Sequence, residues 1–170
     1  IRGFTFIEMI ISMLILEAIL GITAHVMRSS SESLSFISNR KTVIADVRYG
    51  ISKMTQELRL INSDKLTSIA TTRIDFLDSG SSATNYRLAT DNDRLAIYRG
   101  DEILIPNVAS FTIEYQDGEG NALSAEAAQI PNVRRIKLEV TTEPLGDEPG
   151  MTVSTLVVPR SFVGYTNYQQ

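Results

Sequence analysis

The chain has 170 residues, 43% of them apolar, with 16 Lys and Arg against 20 Asp and Glu and a net charge of −4. That balance gives no electrostatic basis for nucleic-acid binding, which rests on clustered Lys and Arg at phosphates. With no cysteine in the sequence, disulfides, thiol chemistry and Cys-based metal centres are excluded, and the fold must hold without a staple.

The first predicted element is an apolar helix. Residues 4–24 form an apolar run interrupted by Glu8 and Glu17, and about 20 such residues span a bilayer. Arg2 precedes the run, which favours a cytoplasmic N-terminus. A secretory signal peptide has a shorter apolar region without acids. A plain anchor accounts for the length but not for Glu8, because an acid inside the bilayer costs on the order of 3 kcal/mol. The cheapest compensation is a positive charge at the same depth. Cleavage after Gly3 would supply one, the new amine of Phe4, either from the same chain or from a neighbouring copy shifted along the axis.

Gly3-Phe4-Thr5-Phe6-Ile7-Glu8-Met9-Ile10, behind Arg2 and ahead of the apolar run, resembles the processing site of type IV pilins and of the pseudopilins of type II secretion. The resemblance covers residues 2–27. It implies that residues 1–3 are the remnant of a leader, that prepilin peptidase cuts between Gly3 and Phe4, that Phe4 is then N-methylated, and that Glu8 is the acid of filament assembly. It also implies the partners: sister pilin or pseudopilin subunits, prepilin peptidase and an inner-membrane assembly platform. The implied place is the bacterial inner membrane, crossed once, and then a periplasmic or extracellular filament. Thr5 and Phe6 are less usual in the family, and Glu17 departs from the small residue often found near that position. Glu17 lies nine residues after Glu8, on the opposite side of a helix at 100° per residue, so the two acids cannot share one partner. No proline precedes Pro106, which favours a minor subunit over a major one.

Residues 4–27 are thus the transmembrane and assembly helix, and 28–170 an extracytoplasmic domain. His25, Arg28 and Ser29-Ser30-Ser31-Glu32-Ser33 mark the exit from the membrane. Serine is a mediocre helix former, so the run reads as a linker or a locally melted stretch. A helical pattern resumes with Leu34, Ile37, Ile44, Val47, Ile51, Met54, Leu58 and Ile61, one apolar stripe of period 3.6. Arg40, Lys41, Arg48, Lys53, Gln56, Glu57 and Arg59 occupy the other side, facing solvent or neighbouring subunits. One helix reaching about residue 62 is expected, with its stripe laid on a sheet.

From about residue 66 the period becomes two. Ile74 and Phe76, Leu95 and Ile97, Phe111, Ile113 and Tyr115, and Ile136, Leu138 and Val140 alternate with polar neighbours, as strands with one buried face do. Gly100-Asp101 reads as a hairpin turn. Residues 151–163 form a last strand interrupted at Pro159, and loops fall at 78–85, 117–131 and 143–150. Strands without intervening helices predict an antiparallel sheet. The fold class is therefore α+β: a long N-terminal helix, transmembrane in its first half and amphipathic in its second, on an antiparallel β-sheet. The succession Gln56-Glu57-Leu58-Arg59, Arg73-Ile74-Asp75-Phe76, Tyr86-Arg87-Leu88, Ile105 to Phe111, Tyr115-Gln116-Asp117-Gly118 and Val133 to Leu138 is similar to the W-type minor pilins and the J-type minor pseudopilin. Glu8 speaks against the K-type tip pseudopilin, which lacks that acid.

Catalytic signals are sparse. The single histidine, His25, sits at the membrane boundary, so no Ser-His-Asp array can form in the domain, and no Gly-rich phosphate loop occurs. No catalytic residue and no cofactor are assigned. Asp117, Glu119 and Asn121 place oxygens at alternate positions, as calcium loops do, but Ala128 stands where an EF-hand needs glutamate. A polar turn is the simpler reading, as it is for Asp91-Asn92-Asp93. The expectation is a minor pilin or pseudopilin subunit, not an enzyme. Two alternatives remain: a membrane-tethered extracytoplasmic binding domain that never enters a filament, and an anchored hydrolase, which needs a deep pocket with two facing carboxylates.

Overall fold

The computed structural model describes residues 5–61, 63–146 and 148–160. The chain divides into two compact units, Ile1–Thr42 and Val43–Gln170. A helix, α1, runs over Phe6–Leu60.

In the first unit, the described residues are helical from Phe6 onward. Its apolar side chains, from Phe6 to Met27, stand exposed, and the helix is long and apolar enough to cross a membrane. Its hydroxyls do not offer loose donors to that environment. Ser12 Oγ donates to the Glu8 carbonyl at 2.7 Å and Thr23 Oγ1 to the Ile19 carbonyl at 2.8 Å. The serine run is helical rather than a linker. Arg28 Nε pairs with Glu32 Oε1 at 3.1 Å, one turn on, and Ser33 Oγ donates back to the Ser29 carbonyl at 2.9 Å. The Arg28–Glu32 pair contributes a few tenths of a kcal/mol to the helix, and serine's low propensity amounts to only a fraction of a kcal/mol per residue. The predicted stripe divides as well. Leu34 and Ile37 are exposed, and full burial begins at Val47.

The second unit is the folded domain. Its helical residues bury Val47, Gly50, Ile51, Met54 and Leu58, spaced three and four apart so that one side of the helix faces the core. A short 3-10 turn, Ser63–Lys65, leads into β1 (Leu66–Ile69), β2 (Arg73–Leu77), β3 (Ala83–Asp91), β4 (Arg94–Arg99) and β5 (Glu102–Ile105). These form one antiparallel sheet in the order β1-β2-β3-β4-β5. A second antiparallel sheet, ordered β7-β6-β8-β9, contains β6 (Val108–Gln116), β7 (Ala122–Leu123), β8 (Arg135–Thr142) and β9 (Thr152–Val157). The α+β class stands, with a long N-terminal helix and antiparallel strands. The strands make two sheets, however, where one was expected. The division falls at Pro106-Asn107. Proline cannot donate to a ladder, and Asn107 takes the left-handed conformation, φ 53°, which ends β5 and redirects the chain.

Local signals explain the hairpins. Asn92 and Asp93 both have positive φ, 46° and 66°, between the paired Asp91 and Arg94, as two-residue turns matching strand twist require. Gly100, φ 58°, opens the turn between the paired Arg99 and Glu102. β3 begins inside the expected loop 78–85, β7 lies in the expected loop 117–131, and a 3-10 turn at Ala127–Asn132 begins in that loop and ends one residue beyond it. The last strand ends at Val157, before Pro159; residues 161–163 of the predicted strand lie outside the described residues.

At Gly50 the helix packs close against β5. A Cβ there would overlap Ile105 of β5. Overpacking of a filled core costs about 1–3 kcal/mol. Gly50→Val should therefore lower the melting temperature of the domain, read by circular dichroism, despite valine's better helix propensity.

Candidate functional site

Two places hold the polar groups singled out by sequence or by structure. The first is the head of α1. Gly3 and Phe4, the expected cleavage and methylation positions, lie outside the described residues. Glu8 is in the first turn. Its Oε2 accepts from the Thr5 backbone N–H and from Thr5 Oγ1, both at 2.9 Å, while the Glu8 N–H donates to Thr5 Oγ1 at 3.4 Å. Thr5-Phe6-Ile7-Glu8 is thus a reciprocal capping box, which satisfies donors that a helix start leaves unpaired. Sequence reasoning weighed Glu8 for its charge and missed this spacing, although T-x-x-E before an apolar run is its plain signature. Glu17 is exposed, and among the described residues nothing bonds it.

The second place is in the domain. Glu57 was assigned to the solvent side of the helix, but the structure corrects this. Tyr86 of β3 is fully buried and its hydroxyl donates to Glu57 Oε2 at 2.6 Å. Arg99 of β4 donates through Nε to both carboxylate oxygens at 3.0 Å. One acid on the helix therefore ties two adjacent strands. The partners lie 29 and 42 positions along the chain, so no local pattern could show them. Burial, with the Glu57 carboxylate close by, pushes the Tyr86 phenol well above its ordinary range. The bond to Glu57 raises Arg99. A cleft of about 90 Å³ beside this group is lined by Glu57, Leu60, Phe76, Asp78, Ser79 and Arg99. Its two carboxylates are both engaged: Glu57 as described, and Asp78 Oδ1 as acceptor from the Ser82 N–H at 2.9 Å.

A second buried phenol joins the two sheets. Tyr115 of β6 donates to the Ala70 carbonyl at 3.0 Å, in the β1–β2 turn, and the Ile113 N–H donates to the Thr71 carbonyl at 2.7 Å. Burial raises the Tyr115 phenol too.

The Asp117 loop is built as a turn. Asp117 Oδ1 accepts from the N–H groups of Glu119, Gly120 and Asn121 at 2.9, 2.8 and 2.8 Å. Its Oδ2 accepts from Asn121 Nδ2 at 2.9 Å. The Asn121 side chain, followed by these backbone donors, holds the Asp117 carboxyl below the usual range. A cation would need these oxygens, which already serve the backbone, and Asn121 turns its donor rather than its oxygen toward the carboxylates. No group of three His, Cys, Asp or Glu side chains placed to hold a metal ion occurs among the described residues.

Compared with protein-family models and with curated proteins, the chain matches none.

Removing the Glu57 carboxylate leaves a buried hydroxyl unpaired, at about 1–3 kcal/mol. Glu57→Ala should destabilise the domain by that amount in urea unfolding, and Tyr86→Phe in the same background should add little further loss. Alkali tests the two phenols. Each stays neutral in the folded domain beyond the pH of about 10 at which an unfolded tyrosine ionises. Their contribution is therefore complete below that pH and is lost as pH rises above it. Tyrosinate absorbance of Tyr86 and Tyr115 should appear only together with the loss of β-sheet circular dichroism.

Proposed function

We propose that the chain is a minor subunit of a type IV pilus or of a type II secretion pseudopilus. On this reading prepilin peptidase cuts between Gly3 and Phe4, the new Phe4 amine is methylated, and the subunit waits in the bacterial inner membrane with its N-terminus cytoplasmic. The assembly platform then moves it into a filament with sister subunits, the strand-rich domain lying outside the cytoplasm.

The observation that carries the proposal is Glu8, an acid at the start of an exposed apolar helix, five residues after Gly3. The capping box does not account for it. A helix cap contributes about 1 kcal/mol, and a neutral Ser, Thr or Asn at the cap position suffices for it, whereas the acid in the bilayer costs on the order of 3. An ammonium group at the same depth closes that gap. In a stack of copies the neighbour's N-terminus supplies it, and the pairing fixes the axial step. The domain contributes surface rather than chemistry to this reading, since its internal carboxylates serve as tethers.

Glu8→Leu should leave the protein inserted and cleaved but absent from sheared filaments, as read by immunoblot of the membrane and filament fractions. Incorporation at the level of the unsubstituted chain would overturn the role of Glu8. Thr5→Ala, which removes only the cap, should lower incorporation far less.

A further inference from the structure

A sheet edge presents unpaired N–H and C=O groups, and proteins blunt such edges with charges, prolines, bulges or very short strands. Three of the four edges here are treated that way. β1 has four residues and a register break between Leu66 and Ser68, β5 has four residues with a break between Ile97 and Tyr98 of its partner strand and begins at Glu102, and β7 has two residues. β9 is different. Thr152-Val153-Ser154-Thr155-Leu156-Val157 contains no charge and no proline, and it pairs in unbroken register with β8 along its whole length. Among the described residues no strand lies beyond it.

The phase of the ladder shows which groups face outward. The Thr142 N–H donates to the Met151 carbonyl at 3.0 Å. Hydrogen-bonded and non-bonded pairs alternate in an antiparallel ladder, so Val153, Thr155 and Val157 spend their backbone groups on β8. Thr152, Ser154 and Leu156 direct theirs to the open edge. Their side chains are exposed, Leu156 by 45%.

We propose that β9 pairs antiparallel with β9 of a second copy of this chain, about a twofold axis at Ser154. In that register Thr152 faces the partner's Leu156, Ser154 faces its own equivalent, and every outward N–H and C=O of the three residues is satisfied. The charges agree. The acids nearest the axis on the outer face are the two copies of Glu139, the β8 neighbour of Ser154. They are three strand spacings apart, about 14 Å, beyond the screening length of about 8–10 Å. One strand pair buries less than the roughly 1,200 Å² of a stable free-standing interface. The pairing is therefore a contact between copies concentrated on one membrane. It rests on the β9 edge and on the membrane-length helix and does not depend on the filament reading.

The chain has no cysteine, so single cysteines read the register directly. Facing Cα atoms in a hydrogen-bonded pair lie about 5.5 Å apart, within disulfide reach. The full chain in liposomes is oxidised and run on a non-reducing gel. Ser154→Cys should pass from the 18.8 kDa band to a band of twice that mass in the majority of molecules. Thr152→Cys and Leu156→Cys should each stay at the level of the exposed control Ser79→Cys, and an equimolar mixture of the two should give the doubled band. Bridging of Ser154→Cys no greater than the control, with none in the mixture, overturns the proposal. Equal bridging by Thr152→Cys alone also overturns it, because it shows collision or another register.

Discussion

The proposed reading turns on a single acid, Glu8, in the first turn of an apolar helix long enough to cross a membrane. The helix offers it hydrogen bonds from Thr5, two of them at 2.9 Å on one carboxylate oxygen. These bonds order the helix start, but they leave a full negative charge in place. A cap alone is served by neutral side chains, so the charge itself calls for a cation. On the proposed reading the cation is an amine made by proteolysis and offered by the next copy, and the same acid that is a cost in a lone subunit becomes the attraction between subunits. The capping box then has a second use. On the same reading it already turns the carboxylate toward the helix head, so less side-chain freedom is lost when the partner arrives.

The domain solves a different problem, holding two sheets and a helix together without disulfides. Apolar burial supplies most of the attraction, and two phenols give it direction. Tyr86 reaches Glu57 on the helix, and Tyr115 reaches the β1–β2 turn from the other sheet. Each hydroxyl is buried with its bond made, and among the described residues no buried side-chain polar atom lacks a partner. Glu57, one of the two carboxylates beside the cleft, belongs to this bracing.

Period was the legible part of the sequence. The apolar run, the stripe from Val47 to Ile61 and the alternation in β2, β6 and β8 follow from side-chain direction on helices and strands, and the structure keeps them. Partnership was illegible. Nothing local to Glu57 announces Tyr86 or Arg99, so an acid on a charged helix side looked solvated. Nothing in the alternation says that β6 leaves the first sheet at Pro106-Asn107. The serine run misled in the opposite direction, since propensity is a small term, a fraction of a kcal/mol per residue, and the run lies inside a continuous helix. At the helix head the charge of Glu8 was visible and its spacing from Thr5 was visible too, yet attention to the first hid the second. Gly3 and Phe4 rest on the motif alone.

If Glu8 answers to an amine exposed at Phe4, that amine must be found at the N-terminus of the protein isolated from its own membranes. Intact-mass and N-terminal peptide spectra should show a chain beginning at Phe4 and carrying one methyl group on its amine. A population that begins upstream of Phe4, with no trimmed form present, would contradict the account, because the ammonium that Glu8 is said to meet would never exist.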